Sequence, residues 1–497
     1  MKKEKIADHA NIIALFAGLI FVTHPIQIES VTYIWQRATS MAALFYLMSL
    51  CFYIKSRQSP HNAMLYYISA LITAVMAMFT KESAVTLPLM ILLYEYTFLK
   101  TDKDLNWKYL TPFLITLFII PLTLLITALA NNRSMRGLAP EEASTISSAH
   151  YLFTQFRVIV TYIRLTFLPL NQNLDYDYPV FKSIFELPVF TSFLFLISIL
   201  YAAKCLFSKY RLISFSILWF FLALLPDSSF FPLQDVIFEH RLYLPLAGYS
   251  LFLAGSAYYL FGKKSIKTMI KILTVIIVFN SILAYQRNGI WKDELTLWSD
   301  TIAKSPHKER PYNNRGLVWS QQGNFAQAIA DYSKAIDINP RYINAYINRG
   351  FAYAQEGNFP QSIADYSKAI DINPNLAEAY INRGNVYEKE NNFIRSMADY
   401  NKALQINPHY AEGYNDRGNA YLKYGHLPQA ILDYTEAVEL KPDYEDAYYN
   451  LGFACYKNGD LTKAIFNYNK AIEINPNDTQ AKENRDAIFN ELKDKNK

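Results

Sequence analysis

The sequence predicts an all-α protein in two parts: a polytopic helical membrane domain over residues 1–285, then an α-solenoid of helical repeats over residues 309–478. Two observations lead there. Ten apolar runs recur within the first 285 residues, more than the buried helices of a soluble domain would supply. Six prolines, Pro306, Pro340, Pro374, Pro408, Pro442 and Pro476, then follow at an unbroken 34-residue spacing. Composition agrees, because the averages of 52% hydrophobic, 15% aromatic and 18% charged residues combine an apolar front half with a rear half of ordinary polarity.

The apolar runs fall at 12–23, 38–54, 64–79, 84–99, 109–130, 153–170, 190–207, 212–225, 242–261 and 269–284. Several are shorter than the ~20 residues of an ideal span, and flanking aromatics extend them into the interface. The basic start, Met1 to Lys5, leads into the first run as a signal sequence would. His24-Pro25 and further apolar residues follow in place of a small-residue cleavage site, so the segment reads as retained.

Basic residues orient the spans. Lys2, Lys3 and Lys5; Lys55 and Arg57; Lys100, Lys103 and Lys108; Lys204, Lys209 and Arg211; and Lys263, Lys264, Lys267 and Lys271 mark five cytoplasmic connections. The other connections are poor in positives, with Arg133 and Arg136 among the few. Strict alternation fails only at run 153–170, which carries Arg157 and Arg164. A charge at mid-bilayer costs roughly 2.5–3.5 kcal/mol on insertion scales, so this run reads as interfacial or re-entrant. The expected topology is nine spans plus that element, in an inner or plasma membrane of a bacterium or an ER-type membrane, with the N-terminus inside and the repeats extracytoplasmic.

This orientation gathers the unusual polar residues at one surface: His24, Glu29 and Arg37; Lys81-Glu82; Asp175 and Asp177 in a Tyr-rich turn; and Glu239-His240-Arg241. Cations beside carboxylates above a bilayer suit an anionic, lipid-linked substrate. His24, Arg37, Lys81, His240 and Arg241 are the candidates to hold a lipid phosphate, with Glu82 and Glu239 orienting them. Asp175, Asp177 and Glu29 are the catalytic candidates. Structural alternatives stand beside each: Lys81-Glu82 as a snorkelling ion pair at a hairpin tip, Asp175 and Asp177 as a solvated turn, and Glu29 with Arg37 as a pair on one helix face. No metal-ligand spacing appears, and nothing assigns a divalent cation or another cofactor. The net charge of +5 is small and no basic cluster alternates with aromatics, which argues against nucleic acid. Cys51, Cys205 and Cys455 form no CxxC pair or disulfide framework.

In the rear half, Tyr312, Gly316 and Ala335 recur at the same period as the prolines, a signature of tetratricopeptide (TPR) helix-turn-helix units. An amphipathic bridge over 286–308 precedes five repeats at 309–342, 343–376, 377–410, 411–444 and 445–478, and a polar capping helix and tail follow at 479–497. Stacked units present an inner wall of first helices. Asn314, Asn348, Asn382 and Asn450 share one register, with Asp416 in the remaining place, and Asn385 and Asn419 lie three residues beyond it. Amides offer a donor and an acceptor together, so such a ladder suits the backbone of a bound peptide; the alternative is ordinary repeat consensus, with the amides satisfying neighbouring carbonyls.

The strings HPIQIESVTYIWQRATSMAALFYL, TKESAVTLPLMILLYEY and EHRLYLPLAGYSLFLA, followed at once by TPR units, resemble the transmembrane-and-TPR-containing O-mannosyltransferase family. The resemblance covers essentially the whole chain in order. It implies a GT-C membrane fold and a polyprenyl-phosphate-linked sugar as donor, with transfer of a hexose to acceptor protein outside the cytoplasm. The family pattern opens with a further span and an acidic first outer loop; here no Asp-bearing outer loop precedes Ile12, and Asp8 lies on the inner side. The function expected is therefore a membrane-bound hexosyltransferase with protein, membrane lipid and lipid-linked sugar as partners. The alternative is a catalytically silent, membrane-anchored TPR scaffold for protein–protein interaction in the cell envelope.

Overall fold

A computed structural model describes residues 9–33, 36–59, 61–99, 105–130, 146–229, 232–233 and 235–495. Met1–Lys5, Asp8, Lys100, Lys103, Arg133 and Arg136, named above, lie outside them. The protein is all-α and divides into two compact units, Met1–Pro306 and His307–Lys497.

In the first unit, five described helices are long and apolar enough to cross a membrane: Arg37–Gln58, Ala63–Thr80, Trp107–Thr127, Leu187–Leu206 and Ile266–Ile290. Ala10–Thr23 and Pro25–Thr32, bent by 54° at His24, make a sixth if counted as one broken span. Arg211–Leu224 and Pro245–Ala257 are shorter apolar helices. The run around Arg157 and Arg164 forms the helix Ser148–Phe167. The molecule is a helical membrane protein.

Small side chains set the helix contacts. Ala70, Ala74 and Ala77 recur along one stripe of Ala63–Thr80 and are fully buried, and the Ser49 hydroxyl donates to the Ala70 carbonyl at 2.7 Å. A Cβ at Gly248 would meet the Ser216 carbonyl and the Trp219 ring at 2.8 Å, so only glycine allows Pro245–Ala257 this close to Arg211–Leu224. Trp219 Nε1 donates to the Leu244 carbonyl at 3.1 Å and locks the same junction. That junction matters because Asp227 follows one helix and His240–Arg241 precede the other. Glu294–Lys304 ends the unit, joined to Ile266–Ile290 by Arg287 and Asp300 at 3.1 Å.

The second unit is five helix pairs, from Glu309–Gln321 with Phe325–Ile338 to Glu445–Lys457 with Leu461–Ile474, and a last helix Thr479–Lys495. Each first-helix glycine faces a second-helix tyrosine: a Cβ at Gly316 would sit 2.6 Å from the Tyr332 ring, and at Gly384 2.8 Å from Tyr400. The tyrosines are buried as a result. The turn within each pair takes a left-handed residue, Gly323, Gly357, Gly425 or Gly459 at φ 76–81°. Asn391 occupies the third turn at φ 59°, one of the few non-glycine types that tolerate it.

Candidate functional site

Several of the polar residues singled out in the sequence meet in two adjoining networks. The first is a cleft with about 20 Å³ of free volume, lined by Thr39, Tyr46, Lys81, Ser83, Asp227, His240, Arg241 and Leu244. Lys81 Nζ donates to Thr39 Oγ1 at 2.6 Å and to Gln36 Oε1 at 3.4 Å, and makes no ion pair with Glu82 among the described residues. Burial lowers the Lys81 pKa against the pull of Glu82 and Asp227, and burial raises that of Asp227 against Arg241 and Lys81. Cation and acid are thus both desolvated, the state in which an added anion gains most.

His240 is held from behind. Its Nδ1 lies 2.7 Å from Glu29 Oε1, its ring stacks on Phe238 at 5.0 Å, and the ring borders the cleft. The second carboxylate oxygen of Glu29 is buried and has no hydrogen-bond partner among the described residues. Arg241 donates to the carbonyls of Asp235 (2.9 Å) and Val236 (3.2 Å) and lies over the Phe238 ring. Gln155 and Tyr162 anchor the same strap through the carbonyls of Val236 and Phe238.

The second network surrounds Glu239, which points away from the cleft cations. It accepts from Gln172 Nε2 (3.0 Å), Asn173 N–H (2.6 Å) and Tyr176 O–H (2.5 Å), and so fixes the 171–178 turn. Burial raises the Glu239 pKa to about 7, opposed by Arg287 and reinforced by Glu29. Ser305 completes the turn, accepting from Asn173 Nδ2 (2.7 Å) and the Asp177 amide (2.9 Å).

The expected residues therefore fall into separate places. Glu29 meets His240 and not Arg37, which is exposed at the start of its helix. Both ring nitrogens of His24 are engaged, Nε2 with the Thr166 carbonyl at 3.0 Å and Nδ1 with the Ile26 amide at 3.3 Å. Asp175 is buried in the turn, Asp177 and Glu82 are exposed, and none of the three lines the cleft. Asp227 and Thr39 line it without having been singled out; the signal for Asp227 was an acid directly after Pro226 at the end of an apolar run.

Most of the repeat amides serve the solenoid itself. Asn348 donates to Asn313 and Asn450 to Asn415, both at 2.9 Å across a repeat boundary. Asn314 accepts from Asn313, Asn419 accepts from Tyr434, and Asn385 bridges Tyr400 and Asp416. The Asn382 side chain makes no hydrogen bond among the described residues. A further series was legible in the spacing and went unread. Arg315, Arg349, Arg383 and Arg417 each chelate an aspartate 16 residues on, through two bonds of 2.7–2.8 Å.

Fold and site define a class: a helical membrane protein whose C-terminal unit is a TPR solenoid. Models described as TPR repeat match residues 316–357, 352–391 and 418–459, and models described as tetratricopeptide repeat match 377–410, 399–431 and 445–478. The curated relatives are protein O-mannosyl-transferases. Human TMTC3 is 27% identical over 358 residues, 64% of this chain and 38% of that protein. Mouse TMTC4 is 25% identical, over 64% of this chain and 48% of that protein. The chain thus resembles the transmembrane-and-TPR-containing O-mannosyltransferases, and spans less than half the length of these relatives. Among solved structures, MamA covers 33% of this chain and 96% of its own at 24% identity and a TM-score of 0.30. YrrB, titled a TPR protein with an unusual peptide-binding site, covers 37% and 95% at 22% identity and the same TM-score.

Proposed function

We propose that the membrane unit binds a polyprenyl-phosphate-linked hexose at the Lys81–Arg241 cleft and transfers the sugar to a hydroxyl of an acceptor protein. The observation that supports this most is the meeting of Lys81, Asp227, His240 and Arg241, from three separate segments, in one desolvated cleft. The relatives' name, protein O-mannosyl-transferase, supplies the reaction class.

In this proposal Lys81 and Arg241 hold the lipid phosphate, with Arg37 at the rim and His24 bracing the bend beneath. His240, turned by Glu29, presents its other nitrogen to the same anion. The bond from the sugar's anomeric carbon to phosphate oxygen breaks as a bond from that carbon to the acceptor oxygen forms. The hydroxyl proton passes to a carboxylate, and the phosphate leaves with the bonding pair. Asp227 is the carboxylate best placed to receive the proton, and a raised pKa makes it a stronger base. Asp175 and Asp177 belong to the acceptor side, through the turn that Glu239 fixes next to His240.

The repeats would hold the acceptor, with Asn382 and the unspent valences of the other amides on its backbone. This requires the repeats to share the cleft's compartment, as the basic residues imply. A topology reporter fused after Lys497 tests that requirement, and a cytosolic signal would sink the proposal. The activity test incubates purified full-length protein with polyprenyl-phosphate mannose and measures hexose on co-purified proteins. Transfer that disappears in Asp227→Asn is expected. No transfer by wild type, with partners still retained by the repeats, would leave an anchored scaffold.

A further inference from the structure

At the end of the membrane unit opposite the cleft, two connections far apart in sequence are pinned into one basic surface. Arg211 and Asp227 bracket the helix Arg211–Leu224, about 20 Å apart along its axis at 1.5 Å per residue. On the Arg211 side, Tyr210 and Tyr259 meet edge to face at 4.8 Å. Lys263 lies over both rings, at 5.9 and 4.8 Å, and Lys209 stands 5.3 Å from the Tyr210 ring. The contact draws the Lys204–Arg211 connection against the Lys263–Lys267 connection. Lys204, Lys209, Lys263, Lys264 and Lys267 are all exposed there.

The two connections themselves carry no acid to neutralise this charge. Residues 200–226 and 242–292 contain no Asp or Glu. The helix end packed alongside, where Tyr96 meets Phe207 at 5.5 Å and Arg211 donates to the Thr97 carbonyl, carries Glu95. That acid is buried and spent on Tyr53 (2.6 Å) and Arg57 (2.7 Å).

Beside the lysines the surface turns apolar within one helical turn. Tyr201 is 67% exposed, Leu260 66% and Phe261 40%. A soluble anion would satisfy the ammonium groups and leave these side chains in water. A phospholipid places its phosphate on the lysines and its acyl chains along Leu260 and Tyr201, while aromatic rings favour that interfacial depth. We propose that the Lys209–Tyr210–Tyr259–Lys263 junction is a binding site for the headgroup of an anionic phospholipid. The site tethers the ends of two helices, Arg211–Leu224 and Pro245–Ala257 with its extension to Gly262, whose other ends border the cleft.

The test is native mass spectrometry of the full-length protein in detergent, titrated with phosphatidylglycerol or with phosphatidylcholine of the same acyl chains. Phosphatidylglycerol should bind at least tenfold more tightly, with the preference falling as salt rises. The variant Lys209→Gln/Lys263→Gln/Lys264→Gln should lose about fivefold per lysine, the equivalent of ~1 kcal/mol each. The control Lys182→Gln, an exposed lysine before the opposite end of Leu187–Leu206, should keep the preference. A melting temperature equal to wild type in both variants separates lost lipid from lost fold. Equal affinity for the two lipids, a triple variant that keeps the preference, or competition by millimolar inorganic phosphate as strong as by lipid would each overturn the proposal.

Discussion

Glu29 and His240 stand 211 positions apart in the chain, yet their side chains meet at 2.7 Å in the interior, with 4% and 8% of their side-chain surfaces exposed. The contact joins the short helix after the His24 bend to the strap before Pro245–Ala257, and it aims the imidazole at the cleft. A lone buried ionisable group is costly, so removing one partner should hurt more than removing both. Glu29→Ala should destabilise the protein by about 3–5 kcal/mol, and Glu29→Gln, whose amide oxygen still accepts from Nδ1–H, by about 1–2. Thermal unfolding in detergent checks this. The double variant Glu29→Ala/His240→Ala should lose less than the sum of its single variants.

Asp227 offers a sharper functional contrast, because it borders the cleft while Asp177 is exposed in the turn. A positioned acid–base group contributes about 10²–10⁴ in rate. Asp227→Asn should therefore lower transfer at least 100-fold at saturating donor, whereas Asp177→Asn should change it less than tenfold. Lys81→Met should act mainly on donor affinity. An Asp177→Asn variant as inactive as Asp227→Asn would move the reacting proton to the turn.

Glu239 predicts a pH effect on stability. Its folded pKa of about 7 lies above the ordinary glutamate value of 4.5, so between those values the folded state binds more protons than the unfolded state. Stability contributed by this group is complete below pH 4.5 and is lost as pH rises through 7. Melting temperature should fall between pH 5 and 7.5 more steeply in wild type than in Glu239→Gln, which keeps an acceptor for the Asn173 and Tyr176 donors. Parallel profiles would show that the carboxyl is ionised throughout.

The architecture was legible because it is periodic. Apolar runs at bilayer length and prolines every 34 residues are local signals that need no knowledge of tertiary neighbours. The need for partners at Glu239-His240-Arg241 was legible too, since ionisable residues entering an apolar helix are costly alone. The pairing was not. Glu29 and Arg37, two turns apart, looked like a helical pair, but the chain leaves the helix after Thr32 and turns Glu29 inward to His240. His24 looked free for a phosphate because sequence cannot show that the bend presents it to the Thr166 carbonyl. Asp227 carried only the signal of an acid after Pro226, because sequence cannot show that the Gly248 contact sets the preceding helix against Pro245–Ala257.

The asparagine ladder separates by the same logic. Asn348 is tied across a repeat boundary to Asn313, while the side chain of Asn382, one repeat later, has no hydrogen-bond partner among the described residues. Asn348→Ala should cost about 1 kcal/mol in denaturant unfolding, the net worth of one hydrogen bond, whereas Asn382→Ala should be neutral within about 0.5. If Asn382 serves a bound chain, its variant should still recover less co-purifying protein than wild type. A stable Asn382→Ala with undiminished recovery would remove it from the peptide site.

The fifth repeat tests the arginine–aspartate series by its own exception. Arg383 chelates Asp399 and reaches back to Ser367 of the preceding repeat at 2.8 Å, so one side chain ties two helices of its own repeat and the repeat before. At the equivalent places the fifth repeat has Leu451 and Asn467, each 6% exposed, so both charges have gone together. That joint loss is what buried pairing requires, because either charge alone would sit desolvated without a partner. Arg383→Ala should cost about 2–3 kcal/mol. Leu451→Arg and Asn467→Asp should each destabilise by a similar amount, but combined they should recover most of the loss, with a coupling of at least 1 kcal/mol in a double-mutant cycle. Additive losses would mean that the fifth pair is packed too tightly against the capping helix Thr479–Lys495 to admit a guanidinium at all.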